Sequence, residues 1–147
     1  MTRKVFFSFK YDDVYRAMNV RNSNVITSDT KTGFIDKAEF EKVEREGDAA
    51  IKKWIDDQLA GTSVTVVLVG ANTKKSKWVK YEIDASIARG NGLITIDISK
   101  IGDGQGNTTA CCGLTVPKYP NYQWNNDKGR ENMGKWIEAA AKAAGKP

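Results

Sequence analysis

The chain has 147 residues, 40% hydrophobic and 28% charged, with a formal net charge of +5. That length suits one compact domain, with enough apolar material for a core and too little charge imbalance for disorder. No apolar run approaches the ~20 residues that span a bilayer, and the complete lack of histidine removes His-activated nucleophiles, His general bases and the commonest metal ligand together.

Lysine and arginine are spread along the chain and interleaved with acids, so no basic stripe forms. The balance favours small anionic partners such as nucleotides, while nucleic acid and a membrane surface are not expected. The two cysteines, Cys111 and Cys112, are adjacent. Neighbours make a poor staple and two thiols cannot fill a zinc site, which fits a reducing compartment. Met1-Thr2-Arg3-Lys4 leads into an apolar run too short for a signal-peptide core, and no small-residue cleavage site follows it. The expected location is the cytoplasm.

Val5-Phe6-Phe7-Ser8-Phe9 reads as a first strand. Asp12 or Asp13 is placed to cap a helix through Tyr15, Val20 and Arg21. Asn24-Val25-Ile26-Thr27 reads as a second, short strand. A polar loop from Ser28 to Lys37 contains Gly33-Phe34, and Glu39 to Glu46 reads as an irregular helical turn. From Asp48 the period is helical: Ala50, Ile51, Trp54, Ile55, Gln58 and Leu59 share a face, and Gly61 ends it.

Val64-Thr65-Val66-Val67-Leu68-Val69 is the strongest strand, as expected of a central parallel strand covered by helices. After the turn Gly70-Ala71-Asn72-Thr73, Ser76 caps a helix whose core side is predicted to be Val79, Ile83 and Ile87, and Gly90-Asn91-Gly92 stops it. Leu93 to Ile98 is another buried strand. Residues Ile101 to Asp127 are loop-rich, with Tyr122-Gln123-Trp124 a short last strand. Met133, Trp136, Ile137, Ala140, Ala141 and Ala144 mark the final helix. Strands alternating with helices predict an α/β domain over residues 1–147 with a parallel sheet covered on both faces. Ligands of such sheets bind at the carboxyl ends of the strands.

Several motifs can be weighed against that frame. Gly102-Asp103-Gly104-Gln105-Gly106 looks like a phosphate loop but lacks the following Lys-Ser/Thr, so it reads as a flexible excursion. Tyr11-Asp12-Asp13 stands where a phosphate-accepting receiver holds its acids. The aspartate a receiver needs after its third strand is here Val69-Gly70, so helix capping is the better reading. Ser8-Phe9-Lys10-Tyr11 lies at the carboxyl end of the first strand. Phe9 and Tyr11 offer aromatic faces to a base with Lys10 near a phosphate, and packing at the core edge explains them equally well. Trp78 and Glu82 lie four residues apart on one helical face. By residue type alone, a solvated glutamate beside a core tryptophan is the commoner arrangement. An acid buried there would instead be a functional-site candidate with a raised pKa.

Taken together these segments resemble a TIR domain. Lys4 to Phe9 followed by Asp12 or Asp13 is similar to the first TIR box. Val66 to Val69 followed by Ser76-Lys77-Trp78-Val79-Lys80-Tyr81-Glu82-Ile83 is similar to the second. The spacing S-x-W-x-x-x-E is the one that carries the catalytic glutamate of NAD-cleaving TIR enzymes. The resemblance is closer to the TIR-like proteins of the Thoeris antiphage system. It rests on the VFFSF strand, Val20-Arg21-Asn22-Ser23, Gly33-Phe34-Ile35-Asp36, the Gly47-to-Ile55 helix, Thr62-Ser63-Val64-Thr65 and Gly90-Asn91-Gly92, and is clearest over residues 4 to 98.

The resemblance implies a flavodoxin-like three-layer fold with a mostly parallel five-stranded sheet. It implies an enzyme that cleaves NAD between nicotinamide and ribose and makes a cyclic ADP-ribose-type or related signal for a partner effector, with self-assembly a common trait of TIR domains. Glu82 would be catalytic. Ser8, Phe9, Lys10, Tyr11, Arg21, Asn22, Phe34, Asp36, Ser76 and Trp78 would bind the substrate, although helix packing accounts for Arg21 and Asn22 equally well. NAD would be substrate, with no further cofactor and no metal. The alternative is a non-catalytic TIR-like interaction or nucleotide-sensing module, because fold alone does not fix function.

Overall fold

The computed structural model describes residues 4–10, 14–21, 45–101, 108 and 114–146, with the backbone alone at 14, 18 and 21. The expected strand at Asn24 to Thr27, the loop from Ser28 to Lys37, the caps Asp12 and Asp13, the glycine-rich stretch 102–106 and both cysteines lie outside the described residues.

The elements run β1 (Val5–Ser8), α1 (Val14–Arg21), α2 (Asp48–Leu59), β2 (Val64–Val69), a 3-10 turn (Thr73–Lys75), α3 (Lys77–Ala88), β3 (Gly92–Asp97), β4 (Asn121–Gln123) and α4 (Gly129–Ala143). The four described strands form one sheet in the order β1-β2-β3-β4, and every neighbouring pair is parallel. With helices on both faces, this is the three-layer α/β arrangement expected from the sequence. The described sheet has four strands where five are expected, the fifth falling outside the described residues. The last strand begins one residue earlier than predicted, at Asn121.

Strand side chains alternate between faces, and the register makes this alternation coherent across the sheet. Val5 and Phe7 of β1, Val64, Val66 and Leu68 of β2, and Ile94 and Ile96 of β3 share one cluster with Ala17 and Val20 of α1 and Met133, Ile137, Ala140 and Ala141 of α4. On the other face, Phe6 packs with Ile51, Ile55 and Leu59 of α2, while Val67, Val69 and Leu93 pack with Val79 and Ile83 of α3. All six residues of β2 are buried, as a strand covered on both faces requires. Each Val or Leu so buried contributes roughly 1.5–3 kcal/mol of transfer free energy.

The helices obey the local rules that sequence reading uses. α2 buries Ile51, Ile55 and Leu59, with Ala50, Trp54 and Gln58 at its half-buried margin. Ser76 caps α3 by accepting a hydrogen bond from the Val79 N–H at 3.2 Å. At the far end, Gly90 N–H donates to the Ile87 carbonyl and Asn91 N–H to the Ser86 carbonyl. This is a Schellman closure, and it needs the left-handed backbone that Gly90 supplies at φ +76°.

One expectation fails, and it matters for the site. The buried face of α3 is Val79, Glu82, Ile83 and Ser86, whereas Ile87 is 41% exposed. Apolar periodicity selects Ile87 over its neighbour. The helix instead turns so that two polar residues, Glu82 and Ser86, face the sheet.

Candidate functional site

β1 ends at Ser8, and alternation along the strand sends its side chain to the same face as Phe6, toward α3. Ser8 is fully buried at the carboxyl end of the sheet. One turn beyond Trp78, α3 turns Glu82 inward, leaving it 8% exposed. The two meet: the Ser8 hydroxyl donates to Glu82 Oε1 at 3.2 Å across 74 residues of sequence.

Loss of water drives the Glu82 pKa from its ordinary 4.5 up to about 8. The Ser8 hydrogen bond opposes that shift by favouring the carboxylate, and is the smaller of the two effects. A carboxyl poised near neutrality can ionise when a cation arrives beside it, as acids at catalytic sites do.

The remaining predicted site residues are placed differently from one another. Phe9 leaves β1 on the opposite side from Ser8 and packs against the cluster of Val5, Phe7 and α1, so the structure does not bring its ring to Glu82. Trp78 is half-buried in the seam between α2 and α3, packed against the cluster of Phe6, Ile51, Ile55 and Leu59 and set edge-on to Tyr81, with ring centroids 6.2 Å apart. Outside that seam Lys77 lies over the Trp78 ring at 4.8 Å and pairs with Asp48 at 3.1 Å, and Tyr81 O–H donates to Asp56 at 3.0 Å. Ser76 is the α3 cap and borders a cleft of about 320 Å³ shared with Val79, Ile83, Leu114 and Val116. Lys10 follows β1, half-buried. Tyr11, Asn22, Phe34 and Asp36 lie outside the described residues, as does the side chain of Arg21.

Sequence reasoning missed the residues that hold the backbone of Glu82. Ser86 Oγ donates to the Glu82 carbonyl at 2.6 Å and bonds Thr65 Oγ1 at 2.7 Å. Asn91 Nδ2 reaches Thr62 Oγ1 at 3.0 Å and Thr65 Oγ1 at 3.5 Å. The available signal was a threonine inside the apolar β2 run and a serine one helical turn after Glu82.

A parallel sheet covered by helices on both faces, with a buried glutamate held at the carboxyl end of its first strand, fits the TIR-like arrangement that the sequence motifs resemble. Residues 6–103 match the family model described as "Thoeris protein ThsB, TIR-like domain". The chain is 37% identical over 139 residues to the Bacillus cereus (strain MSX-D12) protein named "Putative cyclic ADP-D-ribose synthase ThsB1", an alignment spanning 92% of this chain and 72% of that one. The chain belongs to the Thoeris ThsB TIR-like family.

Proposed function

We propose that this protein is an antiphage signalling enzyme that cleaves NAD at the nicotinamide–ribose bond and closes the remaining dinucleotide into a cyclic ADP-ribose-type signal, which a partner effector reads. The observation that carries this reading is Glu82, a buried carboxyl held by Ser8 at the carboxyl end of a parallel sheet. The name of the 37% identical relative, a cyclic ADP-D-ribose synthase, supports the same reaction class.

The chemistry asks little of the protein beyond what these residues supply. Nicotinamide leaves as a neutral molecule from a cationic ring, taking the electron pair of the C1′–N bond. The ribose passes through an oxocarbenium-like transition state. A single carboxylate beside C1′ stabilises that charge, as in glycoside chemistry. The positive nicotinamide ring draws the Glu82 pKa down on binding, because an opposite charge nearby favours ionisation. Trp78, one turn earlier, shields the site from the α2 side, which favours attack by a group of the same dinucleotide over attack by water. Ser76, Lys10, Tyr11, Asn22, Phe34, Asp36 and Arg21 belong to the proposed substrate surface, Phe9 supporting it from the core. No histidine is available to the reaction, and none is needed.

Residues 1–147 are taken as one domain acting in the cytoplasm, where NAD is abundant. No helix among the described residues is long and apolar enough to cross a membrane.

The test is Glu82→Gln. Mass spectrometry of NAD incubated with the wild-type protein, alone and in phage-infected lysate, is expected to show nicotinamide release and a cyclic product. The variant is expected to lose roughly 10³-fold or more in rate, the scale of losing a key electrostatic group, while its melting temperature is kept or raised. Equal NAD loss by the two proteins overturns the assignment.

A further inference from the structure

Glu82 is held at two points by two different strands. Its carboxyl accepts from Ser8 of β1, and its backbone carbonyl accepts from Ser86, which bonds Thr65 of β2. Proton counting fixes the direction of this chain. A carbonyl only accepts, so the one Ser86 hydroxyl proton goes to Glu82, and Thr65 must donate to Ser86. Thr65, its proton spent, accepts from the Asn91 amide. Thr62 likewise donates to the Leu59 carbonyl at 2.6 Å and accepts from Asn91. The polar path runs Asn91 to Thr65 to Ser86 to the Glu82 backbone, with every member buried.

The spacing is what gives this path a consequence. Glu82 and Ser86 are four residues apart, about 6 Å along the helix axis. Their strand partners stand in matching rows: Ser8 is in register with Val67, two residues beyond Thr65, or roughly 6.6 Å along the strand. Both bonds therefore form together at one axial position and one rotation of α3. Turning the helix by a single residue, about 100°, breaks both and brings the exposed Ile87 inward. Val or Ala at 65 and 86 would satisfy the apolar contact without the cost of burying two hydroxyls.

We infer that Thr65 and Ser86 are positioning residues for Glu82: their hydrogen bond sets the rotation and axial register of α3 at which the carboxyl meets Ser8. The inference rests on the reading of Glu82 as the catalytic acid for its activity test, and on geometry alone for its second test.

The experiment is the double variant Thr65→Val/Ser86→Ala, which removes both partners and so leaves neither hydroxyl orphaned. With NAD as substrate, kcat is expected to fall about tenfold, a modest misplacement effect, with KM within about twofold. The melting temperature should stay within a few degrees of wild type. Thr65→Ser, which keeps the hydroxyl, is expected to retain wild-type kcat. Wild-type kcat in a folded double variant overturns the proposal; if the double variant does not fold, Ser86→Ala alone carries the same comparison.

A ¹³C-carboxyl NMR titration of Glu82 gives the second readout. Loss of Ser8 contact should raise its midpoint above that of the wild type, and an unchanged midpoint overturns the positioning role. Among the described residues, the charges around Glu82 leave that midpoint readable. β2 brings none, Lys10 and Asp97 stand at strand ends, Lys80 and Asp84 are exposed on α3, and on α2 Asp48 and Asp56 are engaged by Lys77 and Tyr81 while Lys52 lies over the Tyr81 ring. If wild-type protein leaves NAD intact, the catalytic reading falls and the titration still decides this one.

Discussion

The two faces of the sheet are built to different rules. On the face covered by α1 and α4, β1 to β3 present only Val5, Phe7, Val64, Val66, Leu68, Ile94 and Ile96, with Gly92 where α4 comes closest. On the face covered by α2 and α3, Ser8, Thr65, Thr95 and Asp97 alternate with Phe6, Val67, Val69 and Leu93, and the helix answers with Glu82 and Ser86. The first face is filled by shape and volume. The second spends burial on hydroxyls and a carboxyl that must all be bonded, a costly way to make a core unless it also places a reactive group. A cooperative fold needs only the first kind of face; the second is where stability and function pull against each other.

The sharpest way to break this contrast is pH. The Glu82 pKa is raised in the folded protein to about 8 from an ordinary 4.5. The native state therefore holds a proton that the unfolded chain releases. The stabilisation linked to this proton is complete below about pH 4.5, shrinks as pH rises and is gone above about pH 8, with a full amplitude on the order of 5 kcal/mol. Chemical denaturation from pH 5 to 9 is expected to show this decline in wild type and its loss in Glu82→Gln, which should be the more stable protein at pH 8. Activity should run the other way, with kcat/KM rising toward pH 8 as the carboxylate forms. Parallel pH profiles of wild type and variant stability would remove the special standing of this face.

The apolar face should answer to volume alone. Ile96→Ala is expected to cost about 2–5 kcal/mol in urea unfolding while kcat per folded molecule stays unchanged. A fall in kcat without a fall in stability would show the two faces to be coupled.

Ser8→Ala sharpens the comparison from within the polar face. Removing the donor lifts the Glu82 pKa further, so the rising limb of the pH–rate profile should move up by about one unit, the equivalent of about 1.4 kcal/mol. The smallest effect belongs to Ser76→Ala, which deletes the α3 cap at a cost of about 1 kcal/mol, read as a lower urea midpoint. A larger loss of activity than of stability there would support the proposed place of Ser76 in the substrate surface.

Much of the apolar face was legible in the sequence because burial there follows period. β2 and the Met133-Ile137-Ala140-Ala141 stripe of α4 are readable from spacing alone, as is the Ile51-Ile55-Leu59 stripe of α2 on the opposite face. The polar face was legible only in part. Glu82 stood out through its box, and Ser76 through its capping position. The phase of α3 was misread because period-based reasoning assigns apolar residues to the inside, and here Ser86 took the place given to Ile87. The Ser8–Glu82 bond joins residues 74 positions apart, and no local spacing encodes it. Phe9 was legible as an aromatic at a strand end, but alternation past Ser8 sends it to the other cluster.

The tripeptide at the exit of α3 has a further consequence for recognising such chains. Gly90 is required by a left-handed backbone, Asn91 by the amide that feeds Thr62 and Thr65, and Gly92 because a Cβ there would collide with the Ala140 carbonyl of α4. Three successive letters are thus fixed by three unrelated constraints, none of them contact with substrate. A diverged relative can be sorted by them: one that keeps its glutamate but has lost Gly-Asn-Gly keeps the carboxyl without the hydrogen-bonded exit of α3 described here.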